Sequence, residues 1–274
     1  YKDTRVIPPI NQFINSNSNS NIFLNMTEFW NEVITEFTDS RFKWLNNPKE
    51  WNVIDETGEL EGSKGDYNIT SDTLTIIPPA FKDYWSRTYY SPLLIKSDAS
   101  ALVCTIPNNI ECTVSIDFEF IACAQFDQAG ILIYLDNSHW IKCGIEFCDG
   151  KSLLSVVVCN VFSDWSTQPW PTCSARLRVH KILQSSSVLI EAAPIGSDDF
   201  HFIRIAHLSS KAIHKGDELT DFERNGTDEE TPWQVGPFSA SVTQQRGCIA
   251  TFKNLLIGPR LNLTHSTDVS NMVH

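Results

Sequence analysis

Long apolar runs, paired metal-spaced cysteines and nucleotide or nucleophile signatures are all missing from this 274-residue chain. Each absence excludes a class of function. The longest apolar stretch, Leu153 to Phe162, is broken by Ser155 and Asn160 and falls short of the ~20 residues a spanning helix needs. Basic residues are few, 21 Lys and Arg against 33 Asp and Glu, for a net charge of −12. So acidic a surface repels phosphate backbones and anionic bilayers, and neither nucleic acid nor membrane is an expected partner. No two of the eight cysteines are spaced C-x-x-C and no His follows a pair at finger spacing, so no metal site is expected. There is no G-x-S-x-G, no phosphate loop and no dinucleotide fingerprint, and no cofactor is expected.

What is present is an ordinary globular composition, 42% hydrophobic and 20% charged. The length suits one large domain, and all-β domains of ~200–250 residues are common. Several cysteines sit inside apolar runs, as in Val156-Val157-Val158-Cys159, where Cys serves as a small hydrophobe. Free thiols in a reducing compartment are therefore expected. The sequons at Asn25, Asn68, Asn225 and Asn262 lie in a chain rich in Asn, Ser and Thr and carry little weight.

Residues 1–41 read as an arm. Its polar tract Asn15-Ser16-Asn17-Ser18-Asn19-Ser20-Asn21 cannot bury enough surface to order itself. Phe29, Trp30, Val33, Ile34 and Phe37 then recur at steps of three and four, which predicts one short amphipathic helix capped by Asn25 or Thr27. From residue 42 to 260 the texture changes to about ten short β-type runs separated by turn signals. Asp136-Asn137-Ser138 and Asp149-Gly150 read as hairpin turns. Strands this close leave no room for crossover helices, so the expectation is an antiparallel β-sandwich or barrel. Residues 209–231 interrupt the rhythm with seven acidic residues and no apolar periodicity, an exposed acidic loop. Residues 261–274 read as a C-terminal tail.

Side chains alternate across a strand, so parity assigns faces. Ile141, Cys143, Ile145 and Phe147 form one apolar face, leaving Trp140, Lys142, Gly144 and Glu146 on the other. On the preceding run, Ala129, Ile131, Ile133 and Leu135 oppose Gln128, Gly130, Leu132 and Tyr134. Joined by a tight turn, the two strands would present aromatic platforms, a glycine floor and polar groups on one sheet face. Such a surface suits sugars, whose C–H faces lie on aromatic rings while amides and carboxylates take the hydroxyls. Trp85, Arg87 and Tyr89 share a parity, and Ser163, Asp164 and Trp165 follow a strand, so both clusters are candidates for the same site.

Glycoside hydrolysis needs two facing carboxyls. Asp117 and Glu119 share a strand face, but Ser115 stands where an E-x-D-x-x-E pattern would need Glu. Glu146 is alone on its face, with Asp127 or Asp164 as the partner it would require. The expectation is therefore no enzyme, and a hydrolase through Glu146 if there is one.

Trp85-Ser86-Arg87-Thr88-Tyr89, Phe126-Asp127-Gln128-Ala129-Gly130, His139 to Glu146, Leu154-Ser155-Val156-Val157, Ser163-Asp164-Trp165-Ser166 and Val235-Gly236-Pro237-Phe238 occur in that order. Together they resemble the regulation-of-enolase protein family, within the concanavalin A-like lectin/glucanase superfamily. The likeness runs from about Phe42 to Gly258. Cys143 stands where many relatives have Thr. The resemblance implies a two-sheet jelly-roll sandwich and a cytoplasmic role linked to carbohydrate metabolism, and it brings no catalytic residues. Three functions follow as expectations. The first is a non-catalytic binding or regulatory protein whose sheet face takes a carbohydrate or sugar-phosphate. The second is the hydrolase. The third is an interaction module that holds a metabolic enzyme such as enolase through its acidic loop and helix.

Overall fold

A computed structural model describes residues 33–50, 65–183, 186–210, 231–243 and 248–265. Sixteen strands run through them. They are β1 (Phe42–Leu45), β2 (Asp66–Ile69), β3 (Thr73–Ile77), β4 (Tyr84–Ser86), β5 (Ile95–Ser97), β6 (Ser100–Ile106), β7 (Cys112–Ile121) and β8 (Gln128–Asp136). The remainder are β9 (His139–Cys148), β10 (Lys151–Asn160), β11 (Phe162–Pro169), β12 (Ser174–Ile182), β13 (Ser187–Ala193), β14 (His201–His207), β15 (Trp233–Ala240) and β16 (Ile249–Pro259).

Two seven-stranded antiparallel sheets form a sandwich of the expected jelly-roll type. The first has the order β1-β6-β15-β8-β9-β10-β11 and the second β14-β13-β12-β7-β16-β3-β2. Register follows the parity argument. Ile131 opposes Cys143, Ile133 opposes Ile141, and Ile145 and Cys143 oppose Leu154 and Val156. In the second sheet Ile116 opposes Leu177 and Phe118 opposes Ala175 and Phe252. These two apolar faces are buried against each other as the core. Both anticipated hairpin turns are present: Asp136 accepts from the Ser138 N–H at 2.7 Å, and Asp149 and Gly150 adopt φ of 52° and 75°. All eight cysteines are free thiols, six of them buried.

The expected helix lies mostly outside the described residues, and its described end is not helical. Ile34 instead makes an antiparallel bridge with Ile257 and is buried, as is Phe37. The apolar spacing that mimics a helix there serves two separate anchors on the sandwich. The acidic loop also lies outside the described residues, apart from its ends, where Ser210 and Thr231 hydrogen-bond. The start of the tail is tied down: Leu261 N–H donates to Thr113 Oγ1, and Thr264 donates to Glu191 through both N–H (2.7 Å) and Oγ1 (2.6 Å). No helix among the described residues is long and apolar enough to cross a membrane.

That tie rests on a buried chain across the outer face of the second sheet. Thr113 Oγ1 lies 2.8 Å from His180 Nδ1, and His180 Nε2 lies 3.2 Å from Glu191 Oε2. Neither His180 nor Glu191 has exposed surface. The Glu191 carboxylate can only accept, so the proton of a neutral His180 belongs on Nε2, and Nδ1 accepts from the Thr113 hydroxyl. Burial lowers the His180 pKa below its ordinary value, with Glu191 opposing. Burial also works against ionising Glu191, but Thr264 and His180 outweigh it and lower that carboxyl's pKa. A base whose folded pKa lies below its unfolded one costs stability as pH falls through the unfolded value. Stability is therefore expected to decline as pH drops from about 7 towards 5, before Glu191 begins to titrate. His180→Gln, which keeps an N–H for Glu191, should flatten that limb in urea unfolding across the range. An unchanged slope would remove His180 as its origin.

Candidate functional site

The outer face of the first sheet is not open surface. Residues 80–99 cross it as a strap, with β4 and β5 paired as a short hairpin within it. The strap is pinned along its length. Ala80 bridges Ser241, and Lys82 N–H donates to the Ser241 carbonyl at 3.1 Å. Asn46 Nδ2 donates to Tyr84 Oη and to the Ser97 and Ala99 carbonyls. Ser86 N–H donates to Ser163 Oγ at 2.9 Å, and Ser86 Oγ to the Val161 carbonyl at 2.6 Å. Between strap and sheet, Tyr84 of the strap packs with Leu132, Trp140, Val157 and Phe238 of the sheet in a second apolar cluster.

At the β8–β9 end the strap and the sheet part to leave a cavity of about 290 Å³. Its walls include Trp85, Tyr90, Phe126 and Trp165. The ring centroids lie 5.3 Å apart for Trp85–Tyr90, 6.4 Å for Tyr90–Phe126, 6.5 Å for Phe126–Trp165 and 6.1 Å for Trp165–Trp85. Successive planes meet at 71° to 89°, so the four rings pack edge to face as one continuous aromatic wall rather than a stack. Phe126 holds its place at a cost, with φ of 65°, a rare conformation for a bulky side chain. Asp127 supports that turn: its carboxylate accepts from Cys123 N–H, Ala124 N–H and Ser241 Oγ at 2.7 to 2.8 Å.

The polar groups of the cavity are Asp83, Lys96, Lys142, Glu146 and Thr243. Lys142 Nζ lies 2.7 Å from Asp83 Oδ1, with both side chains over nine-tenths buried. The same oxygen accepts from Tyr84 N–H (2.7 Å) and from Gln128 Nε2 (3.2 Å). Glu146 Oε2 accepts from Ser155 Oγ at 2.8 Å, and Ser155 Oγ accepts from Trp165 Nε1 at 2.8 Å. Burial raises the Glu146 pKa above its ordinary value, although Lys142, Ser155 and Trp165 pull the other way. The Glu146 carboxyl and the Asp83–Lys142 pair together offer oxygen acceptors and ammonium donors to a neutral polar ligand. Among the described residues no three His, Cys, Asp or Glu side chains are grouped to hold a metal ion.

Of the residues singled out by sequence, Trp85, Lys142, Glu146 and Trp165 line the cavity, and Gln128 braces it through Asp83. The others are elsewhere. Trp140 is 0% exposed, packed on Tyr84 with no surface for stacking on a ligand. Tyr134 is at the far end of β8 and donates to Asn137. Arg87 donates to Ser86 Oγ and the Val161 carbonyl, while Tyr89 projects outwards, 91% exposed. Ser163 is the acceptor that pins Ser86. Asp164 pairs with Arg204 at 2.9 Å, because parity turns it to the opposite face from Ser163 and Trp165. Asp127 is consumed by its turn, so neither carboxylate expected to partner Glu146 reaches the cavity. Asp117, in the other sheet, is held by Arg176 and Asn254. The glycine floor also has a different meaning. A Cβ on Gly130 would lie 2.0 Å from the Cys143 carbonyl oxygen, and one on Gly144 2.0 Å from that of Ala129. These glycines let two strands approach each other, not a ligand. Sequence reading missed Asp83, Tyr90, Leu94, Lys96, Phe126, Val242 and Thr243. Phe126 lies inside a quoted motif, Tyr90 directly follows another and Asp83 stands two residues before it, so these three were the most findable.

A family model described as "Protein of unknown function (DUF1349)" matches residues 44–260. A Saccharomyces cerevisiae protein named "Regulation of enolase protein 1" is 28% identical over 176 residues, 60% of this chain and 79% of that protein. "Uncharacterized protein AN7484" of Emericella nidulans is 29% identical over 102 residues, 36% of this chain and half of that protein. A crystal structure described as that of a functionally unknown protein from Saccharomyces cerevisiae superposes with a TM-score of 0.63 at 22% identity, covering 83% of this chain and all of that one. One described as "Bifunctional GH43-CE Bacteroides eggerthii" reaches 0.50 at 12% identity, covering 81% of this chain and 24% of that one. At these identities the structures share the fold alone.

The ion pair under the strap has a measurable signature. Lys142→Met strands a buried carboxylate and should destabilise the fold by about 3–5 kcal/mol. Adding Asp83→Asn should return more than half of that loss in denaturant unfolding. Additive losses would show that the two side chains do not act as a pair.

Proposed function

The chain belongs to the DUF1349 family, and on that footing we propose a non-catalytic, cytoplasmic binding protein with a regulatory role in carbohydrate metabolism. Its ligand is carbohydrate-like and enters the cavity between the strap and the first sheet. The observation that carries this reading is the pairing of four aromatic walls with a buried Asp83–Lys142–Glu146 floor. Aromatic faces suit the C–H surface of a sugar, and a mixed donor and acceptor floor suits its hydroxyls. The regulatory part rests on the yeast relative named for regulation of enolase. A metabolic enzyme such as enolase is accordingly the proposed protein partner. Hydrolysis is the weaker reading, since Asp127 and Asp164 are both engaged away from Glu146 and Asp83, the carboxylate in the same cavity, is paired with Lys142.

A glycan and sugar-phosphate binding screen tests the proposal on the native chain, Trp165→Ala and Glu146→Gln. Tyr134→Phe, outside the cavity, serves as the control. Expected is a defined ligand whose affinity falls at least tenfold, about 1.4 kcal/mol, in both cavity variants and stays level in the control. Binding that survives Trp165→Ala would overturn the site. Product release that disappears in Glu146→Gln would restore the hydrolase.

A further inference from the structure

We infer that the β4–β5 hairpin of the strap is a docking surface for a protein partner, one that presents carboxylates beside apolar side chains. The inference rests on the protein-partner part of the function proposed above and gives that partner a place and a chemistry.

Exposure marks the place. Tyr89, Leu93 and Ile95 of the hairpin and Val161 of the β10–β11 turn are 40% to 91% exposed, although each side chain is large and apolar. Hydrogen bonds hold these segments together. Arg87 N–H donates to the Leu94 carbonyl at 2.9 Å, and Ser86 pairs with Ile95. The Val161 carbonyl accepts from Ser86 Oγ at 2.6 Å and from the Arg87 guanidinium at 3.2 Å. Single exposed apolar residues are ordinary, whereas several gathered at one place mark an interaction site. Tyrosine and arginine are also the side chains that most often anchor protein interfaces.

Backbone strain is a second, independent sign. Arg87, Tyr89 and Val161 have φ of 64°, 71° and 69°. For a β-branched residue such as Val161 this conformation is rare and costly. None of the three belongs to the buried core, so the strain orders a surface. A surface fixed in advance loses less entropy when a partner binds.

Charge selects the partner. The chain carries a net charge of −12, yet residues 84–97 contain no Asp or Glu. The acids that flank them are committed, Asp83 to Lys142 and Asp98 to Lys82. Among the described residues, Arg87 and Lys96 meet only neutral acceptors. These are Ser86 Oγ and the Val161 carbonyl for Arg87, and the Phe81 carbonyl for Lys96. The hairpin is therefore a cationic, apolar island on an acidic protein. Carboxylates beside aliphatic or aromatic side chains complement both properties. A second copy does not, since hairpins paired about a two-fold axis would set cation against cation. An anionic bilayer would meet the net negative charge of the whole chain as well as the hairpin.

The test selects a random peptide library on the native chain and titrates the enriched peptides by fluorescence anisotropy. The variants are Tyr89→Asn, Leu93→Ser and Arg87→Gln. Asn is at ease at positive φ, and Gln keeps an N–H for the Val161 carbonyl while removing the charge, so thermal midpoints should not fall. Expected are peptides that combine Asp or Glu with Leu, Ile or Phe, with affinity roughly tenfold or more lower in each variant. Enriched peptides without acidic residues, or ones that bind the variants as tightly as the native chain, would overturn the inference. Tyr89-dependent self-association in analytical ultracentrifugation would overturn it in favour of a second copy. Tyr89-dependent binding to phosphatidylserine vesicles would overturn it in favour of a membrane. Purified enolase that binds the native chain and all three variants alike would overturn the hairpin as the docking surface and leave the protein-partner reading standing. Binding of neither peptides nor enolase would overturn both.

Discussion

The ion pair between Lys142 on the sheet and Asp83 on the strap is the interaction on which the rest of the site depends. Its two members come from segments 59 residues apart and meet in a place that water barely reaches. Such a pair adds little net stability compared with apolar residues of the same size, because desolvation offsets the attraction. What it does is forbid alternatives. A strap shifted by one residue would leave a buried lysine and a buried aspartate unpaired. Tyr84 N–H and Gln128 converge on the same oxygen, so the pair also fixes where β4 begins. The position of Trp85 follows from that, and so does one wall of the cavity.

Strain and satisfaction are distributed accordingly. Phe126 is held at positive φ by a turn whose buried aspartate takes three hydrogen bonds. Glu146 is held against its preference for water by burial, with Ser155 and Trp165 joined in a relay behind it. Both features sit at the cavity and nothing in the core needs them. The opposite sheet carries a comparable buried network, yet its members satisfy one another: Thr113 bonds to His180, His180 to Glu191 and Glu191 to Thr264. The contrast between a filled polar network and an unfilled one separates scaffold from site in this sandwich.

The strands of the two central sheets were legible because a face that packs on another sheet must be apolar at every second position. Ile141, Cys143 and Ile145 announce it, and their hairpin partners repeat it. Short elements such as β4 and β5, three residues each, carry no such period and were not legible. The end of the expected helix went astray for a related reason, since Ile34 and Phe37 are anchors whose spacing only coincides with a helical turn. Within the site, parity correctly put Lys142 and Glu146 on one face and separates Asp164 from Trp165. It could not say that Trp140 lies under the strap while Trp165 lies beside it.

By itself the sequence determined the sheet faces, the hairpin turns, the free thiols and the family, because each is written in local alternation, turn chemistry or short ordered motifs. Only the tertiary structure decided which of two buried-looking faces meets the other sheet and which meets a strap. It also decided which carboxylate stands beside Glu146: neither of the two expected, Asp127 and Asp164, but Asp83. The reason is physical: alternation records that a side chain is buried, whereas the partner that buries it comes from a distant segment, and only the closed chain brings the two within hydrogen-bond reach.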